Sequence, residues 1–148
     1  MAQLSARVYR TLRSGDALVD WFFRHFVRIL RDEQVRIARK RRLVNPDDPH
    51  RRVIRGLMDP DINPSGDWVQ ILINPARNTH RNRDEEVETL IHELAHVILP
   101  KTSERGILGI ERLVSRGLTH DQRRVLKAFL PAHEVKRYPR SAGVVAVV

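Results

Sequence analysis

The stretch from Asn82 to Pro100 restricts the fold more than any other, because one helix there must carry both an apolar stripe and a chemically spaced pair of histidines. It contains His92-Glu93-Leu94-Ala95-His96. Residues four apart on a helix stand one turn above each other, so the two imidazoles can point at one metal ion. Glu93 follows His92 directly, which sets its carboxylate beside such an ion, placed to take a proton from a water that the ion polarises. The helix is expected to start at Asn82 as N-cap, with Glu85 completing a capping box and Asp84, Glu85 and Glu86 at the positive end of the dipole. At about 100° per residue, Val87, Leu90, Ile91, Leu94 and Ile98 fall on one apolar stripe, and His92, Glu93 and His96 lie on the other side. Pro100 has no N–H to continue the helix and disfavours helical geometry at Leu99, so the element is expected to stop there.

A catalytic zinc site takes three protein ligands and leaves a fourth position open. Downstream of His96 the candidates for the third ligand are Glu104, Glu111, His120 and Asp121. A histidine six residues beyond His96 would define the metzincin arrangement, but that position is Thr102, which excludes it. Ile107, Ile110, Leu113 and Val114 recur at helical spacing and predict a second helix with Glu111 as the one acid among them. The sequence therefore favours Glu111. Glu104, in the polar connection Lys101-Thr102-Ser103-Glu104-Arg105, reads more simply as a solvated loop or cap residue.

The segment Leu90-Ile91-His92-Glu93-Leu94-Ala95-His96, followed by a short loop and Ile110-Glu111-Arg112-Leu113, resembles the small gluzincin-type metallopeptidase domains, including SprT-like and compact phage or bacterial zincins. The similarity covers roughly residues 51 to 130 and is sharp at these two motifs. It implies an antiparallel sheet before the motif helix and a glutamate supplied by a later helix. It also implies Zn2+ held by His92, His96 and Glu111, with Glu93 as general base in peptide-bond hydrolysis.

The chain has 148 residues and 41% hydrophobic content, enough for one domain with a core of its own, expected over 1–148. It has no cysteine, so it offers no thiolate ligand and nothing argues for an oxidising compartment. No apolar run suits a signal peptide or a membrane span, and a cytoplasmic protein without membrane contact is expected. The net charge of +9 is concentrated in residues 1–56, where fourteen Lys or Arg stand against six Asp or Glu. Arg36, Arg39, Lys40, Arg41 and Arg42, followed by Arg51, Arg52 and Arg55, could neutralise phosphates. This makes nucleic acid a second candidate partner beside a protein or peptide substrate, and motivates an alternative function: a non-catalytic nucleic-acid-binding or regulatory protein on a zincin scaffold.

Elsewhere, apolar residues from Leu18 to Val35 at three-and-four spacing predict one long helix over 16–42, capped by Asp16, with Phe22, Phe23 and Phe26 in the core. Asn45-Pro46-Asp47-Asp48-Pro49 breaks the chain. Strands are expected over 52–58 and over 68–73, paired antiparallel and covered by the motif helix, and the second is the candidate edge for an extended substrate. The acids between Asp59 and Asp67 lack the ligand spacing of a calcium loop. A last helix should start near Thr119 and end before Pro131. His120, His133 and Tyr138 are weak candidates for an oxyanion stabiliser, and the tail 142–148 is apolar. The fold class read from these elements is α+β, zincin-like: a small antiparallel sheet on the motif helix, a long N-terminal helix, C-terminal helices and a metal-site core over 51–130.

Overall fold

The computed structural model describes residues 9, 11–59, 66–75 and 84–135. In chain order its elements are α1 Ala17–Arg31, β1 Val35–Arg39, β2 Gly56–Asp59, β3 Val69–Ile73, α2 Asp84–Ile98, α3 Glu104–Gly117 and α4 His120–Ala128. The fold is α+β, as expected. The proposed N-cap Asn82, Tyr138 and the tail 142–148 lie outside the described residues.

Helix α1 starts where the sequence places it. Asp16 accepts from the backbone N–H of Leu18 and Val19 at 2.9 and 3.2 Å, and the helix buries Val19, Phe22, Phe23, Phe26, Val27, Ile29 and Leu30. It does not run to residue 42. It ends at Arg31, and Glu33 takes the left-handed conformation (φ 56°), a reversal that no helix interior tolerates. Val35-Arg36-Ile37-Ala38-Arg39 then forms a strand. The apolar spacing carried the helix reading through Val35, but Val35, Ile37 and Ala38 serve the two faces of a sheet instead.

That extra strand changes the sheet. β2 pairs antiparallel with β3, as expected, but β1 joins the opposite edge of β3 in parallel, from Val35 opposite Val69 to Arg39 opposite Ile73. The order is β1-β3-β2, so the sheet is mixed where the sequence pointed to an antiparallel one. β3 is the middle strand and cannot be the edge that meets a substrate. Among the described residues the free edge is β2, since the end of β1 is partly covered by Glu134 and Val135, whose N–H donates to the Arg39 carbonyl at 2.7 Å.

The core lies between the sheet and the helices. Ile71 and Ile73 of β3 meet Phe23 and Phe26 of α1, Leu90, Ile91 and Leu94 of α2, Val114 of α3 and Leu126 of α4 in one buried cluster. A smaller cluster of Ala38, Leu43 and Leu72 fills the other face of the sheet. α2 packs on β2, β3 and each of the other three helices, and is buried nearly all round. Its one deeply buried acid in the first turn, Glu86, is paired with Arg39 of β1 at 2.7 Å, which ties the motif helix across to the far strand. No helix among the described residues is long and apolar enough to cross a membrane.

Candidate metal centre

His92 and His96 project from the last two turns of α2 into a cleft of about 600 Å³, with ring centroids 5.0 Å apart. Arg55, Gly56, Leu57 and Met58, at the start of and along β2, and Leu108 of α3 also line it. The next turn of chain brings in the third group. Pro100 ends α2, and Thr102 N–H donates to the Leu99 carbonyl at 3.1 Å. Ser103 then caps α3, its hydroxyl accepting from the Gly106 N–H at 3.2 Å. The first residue of α3 is thereby folded back over the end of α2. That residue is Glu104.

The Glu104 carboxylate bridges the two histidines: Oε1 lies 2.7 Å from His92 Nε2 and Oε2 lies 2.9 Å from His96 Nε2. These three side chains are the group among the described residues that could hold a metal ion, their ligand atoms all within 4.8 Å of one another. Tetrahedral ligands at about 2.0–2.2 Å from a common ion stand roughly 3.4 Å apart, so Glu104 would have to draw back by about half an ångström from each Nε2 to admit one between them. Two imidazoles and one carboxylate fit zinc with a fourth position open, and suit other divalent first-row ions as well.

Glu111, the third ligand favoured by the sequence, is not in this group. It stands behind the ring of His92, with Oε1 3.5 Å from Nδ1 and 3.2 Å from Nη2 of Arg55. The other two candidates are also elsewhere: His120 and Asp121 are exposed in the first turn of α4, and Asp121 faces Arg124. His133, considered as an oxyanion stabiliser, is exposed and does not line the cleft. In the sequence Glu104 is a third-ligand candidate that reads more simply as a solvated loop or cap residue, and it is the first residue of α3 after the cap Ser103. The signal that assigns it otherwise is local: a Pro stop, then Ser as N-cap, then Glu in the first turn starts a helix within one short turn of His96.

Glu93 lines the same cleft at 7% exposure. Burial holds its carboxyl up at about 7; His92 pulls it down and Glu104 pushes it further up. Burial alone would lower His92, but Glu111, Glu93 and Glu104 together raise it. Burial would likewise raise Glu111, yet the facing His92 and the Arg55 guanidinium hold it below the ordinary carboxylate value. Three carboxylates thus converge on two imidazoles and one guanidinium, and a cation placed between Glu104 and the histidines would relieve the excess of negative charge. Comparison of the chain with known protein families, with curated proteins and with solved structures finds no match.

Proposed function

We propose that the chain is a zinc-dependent metallopeptidase of the zincin type, with His92, His96 and Glu104 as metal ligands and Glu93 as general base. The observation that carries this reading is the bridging of both histidine Nε2 atoms by one carboxylate, 2.7 and 2.9 Å away, in a cleft that also holds Glu93. When bound, zinc would polarise the scissile carbonyl and make water acidic enough to attack near neutral pH. Glu93 takes the proton from that water and hands it to the leaving amine, work for which a carboxyl poised near the working pH is suited. β2 lies along the cleft with an open edge and holds an extended protein or peptide substrate by main-chain hydrogen bonds. The absence of cysteine fits a cytoplasmic location.

The nucleic-acid alternative has less to stand on. Of the clustered cations, Arg39 pairs with Glu86, Arg41 with Glu134, Arg52 with Asp48 and Arg55 with Glu111. Arg36 lies over the Trp68 ring at 4.1 Å. Side chains engaged within the fold neutralise fewer phosphates than the sequence count suggests.

The deciding experiment measures bound zinc and hydrolysis of unstructured protein substrates by wild type and Glu93→Gln. Zinc in both proteins with turnover in the wild type alone is expected. Stoichiometric zinc with no hydrolysis by the wild type across a diverse peptide library would reject the peptidase reading.

A further inference from the structure

His92 has two ring nitrogens, and the metal site uses only Nε2. Its Nδ1 is sealed from solvent and, among the described residues, has no hydrogen-bond partner of good geometry. A buried nitrogen of this kind needs an acceptor if it carries a proton. The group facing it is Glu111, with Oε1 at 3.5 Å. Glu104 is engaged on the other side of the ring, and Glu93, one residue along the helix, lines the cleft. Glu111 does not line the cleft.

Glu111 is itself held in place. Nη2 of Arg55 donates to its Oε1 at 3.2 Å. The backbone of Arg55 is fixed in turn by Asn74, a fully buried residue whose N–H donates to the Arg55 carbonyl at 2.8 Å and whose Nδ2 donates to the Ile54 carbonyl at 3.1 Å. The result is a chain of contacts from the sheet, through Arg55 and Glu111, to the back of the His92 ring.

We propose that Glu111 is a positioning residue: it accepts the Nδ1 proton of His92 and so selects the neutral tautomer whose Nε2 lone pair faces the metal, while Arg55 keeps Glu111 in place. The inference rests on His92, His96 and Glu104 being the ligands. A closing movement of about half an ångström brings the 3.5 Å separation to an ordinary hydrogen-bond length. For Glu111 to serve as a ligand instead, it would have to leave Arg55 and pass round the ring to its Nε2 side. Outer-shell carboxylates of this kind orient the imidazole and raise its basicity toward the ion.

The test uses the intact chain and reads zinc affinity, by competition with a chromophoric chelator, and the absorption of the cobalt(II)-substituted protein. The proteins are wild type, Glu111→Ala, Glu111→Gln, Arg55→Ala and Glu104→Ala, each checked for folding by circular dichroism. Glu111→Ala should still bind one zinc, about 10–100-fold more weakly. Glu111→Gln, which keeps a side-chain acceptor of the same length, should recover much of that loss, and Arg55→Ala should lose less than Glu111→Ala. The cobalt bands should keep their wild-type form in both Glu111 variants and change in Glu104→Ala. Unchanged zinc affinity in Glu111→Ala, or cobalt bands altered by Glu111→Ala and not by Glu104→Ala, would overturn the assignment. A wild type that binds no zinc would fell the ligand reading and this inference together. One that binds zinc but hydrolyses nothing would remove only the peptidase reading, and the affinities would still decide the role of Glu111.

Discussion

Gly56 and Thr89 touch so closely that no side chain fits between them: a Cβ on Gly56 would lie 2.5 Å from Thr89 Cγ2, and 3.3 Å from Glu93 Oε1. The first residue of β2 therefore rests directly on the motif helix, and its main chain runs past Glu93. Thr89 is buried and its hydroxyl donates to the Glu85 carbonyl at 3.1 Å, so its methyl cannot swing away without giving up that bond.

Gly56→Ala should therefore push β2 off α2 and displace Glu93. A stability loss of about 1–3 kcal/mol is expected, the usual cost of forcing a methyl into a packed contact. Hydrolysis should fall further than zinc affinity, because Glu93 is pressed and the histidines are not. Thr89→Ser removes the offending methyl, so the double variant should recover much of the lost melting temperature. An unchanged melting temperature and turnover in Gly56→Ala would show that the contact does not constrain the site.

The position of Glu93 also sets a pH dependence of stability for the metal-free chain. Its folded value of about 7 lies above its ordinary 4.5, so between these limits the folded state keeps a proton that the unfolded chain has released. Stability from this group is complete below about 4.5 and is lost as pH rises through about 7, a total of about 3 kcal/mol. His92, also raised, adds a decline of the same sign, but only above its ordinary 6.5. His25, lowered by burial and by Arg28 and Arg24, contributes a slope of opposite sign below its ordinary 6.5, so Glu93 is isolated by the difference between wild type and Glu93→Gln over about 4.5 to 6. Urea unfolding across that interval should show falling stability in wild type and a flatter curve in Glu93→Gln. Parallel curves would contradict the buried, protonated carboxyl. Saturating zinc should also flatten the wild-type curve, since a cation beside Glu93 favours its ionised form.

What the sequence revealed and what it hid follow from the range of the interactions involved. Helical spacing, Asp16 as a cap, the Pro100 stop and the start of the last helix at Thr119 are local, and the structure reproduces them. Val35 is drawn into the helix reading because it stands eight residues after Val27, a spacing that also suits a helix, and only the turn at Glu33 and the partner strand β3 decide otherwise. Glu104 and Glu111 both lie on the same helix, seven residues apart, and both face His92. Which ring nitrogen each one meets depends on the crossing of two helices, and spacing along the chain does not contain that. The edge role of β2 was hidden for the same reason, since it exists only because β1 takes the other side of β3.

The last prediction concerns how β2 would hold a substrate. The Asn74 N–H donates to the Arg55 carbonyl, which makes Arg55 and Asn74 a hydrogen-bonded pair of the antiparallel ladder. Such pairs alternate with non-bonded ones. In the register that sets Gly56 opposite Ile73 and Met58 opposite Ile71, Leu57 and Asp59 bond toward β3, while the N–H and carbonyl groups of Gly56 and Met58 face outward along the open edge. An extended peptide docked there would bond to these two residues, next to Glu93. Methylating the substrate backbone removes one N–H and adds bulk at that position alone. In a set of otherwise identical peptides, N-methylation should raise KM or abolish cleavage at alternating positions, those whose N–H would meet the Gly56 or Met58 carbonyl, and be tolerated at the positions between. The expected loss is about tenfold per blocked hydrogen bond, in line with about 1.4 kcal/mol for each factor of ten. Uniform tolerance along the peptide, or sensitivity at every position without alternation, would show that the substrate is not held as an added strand.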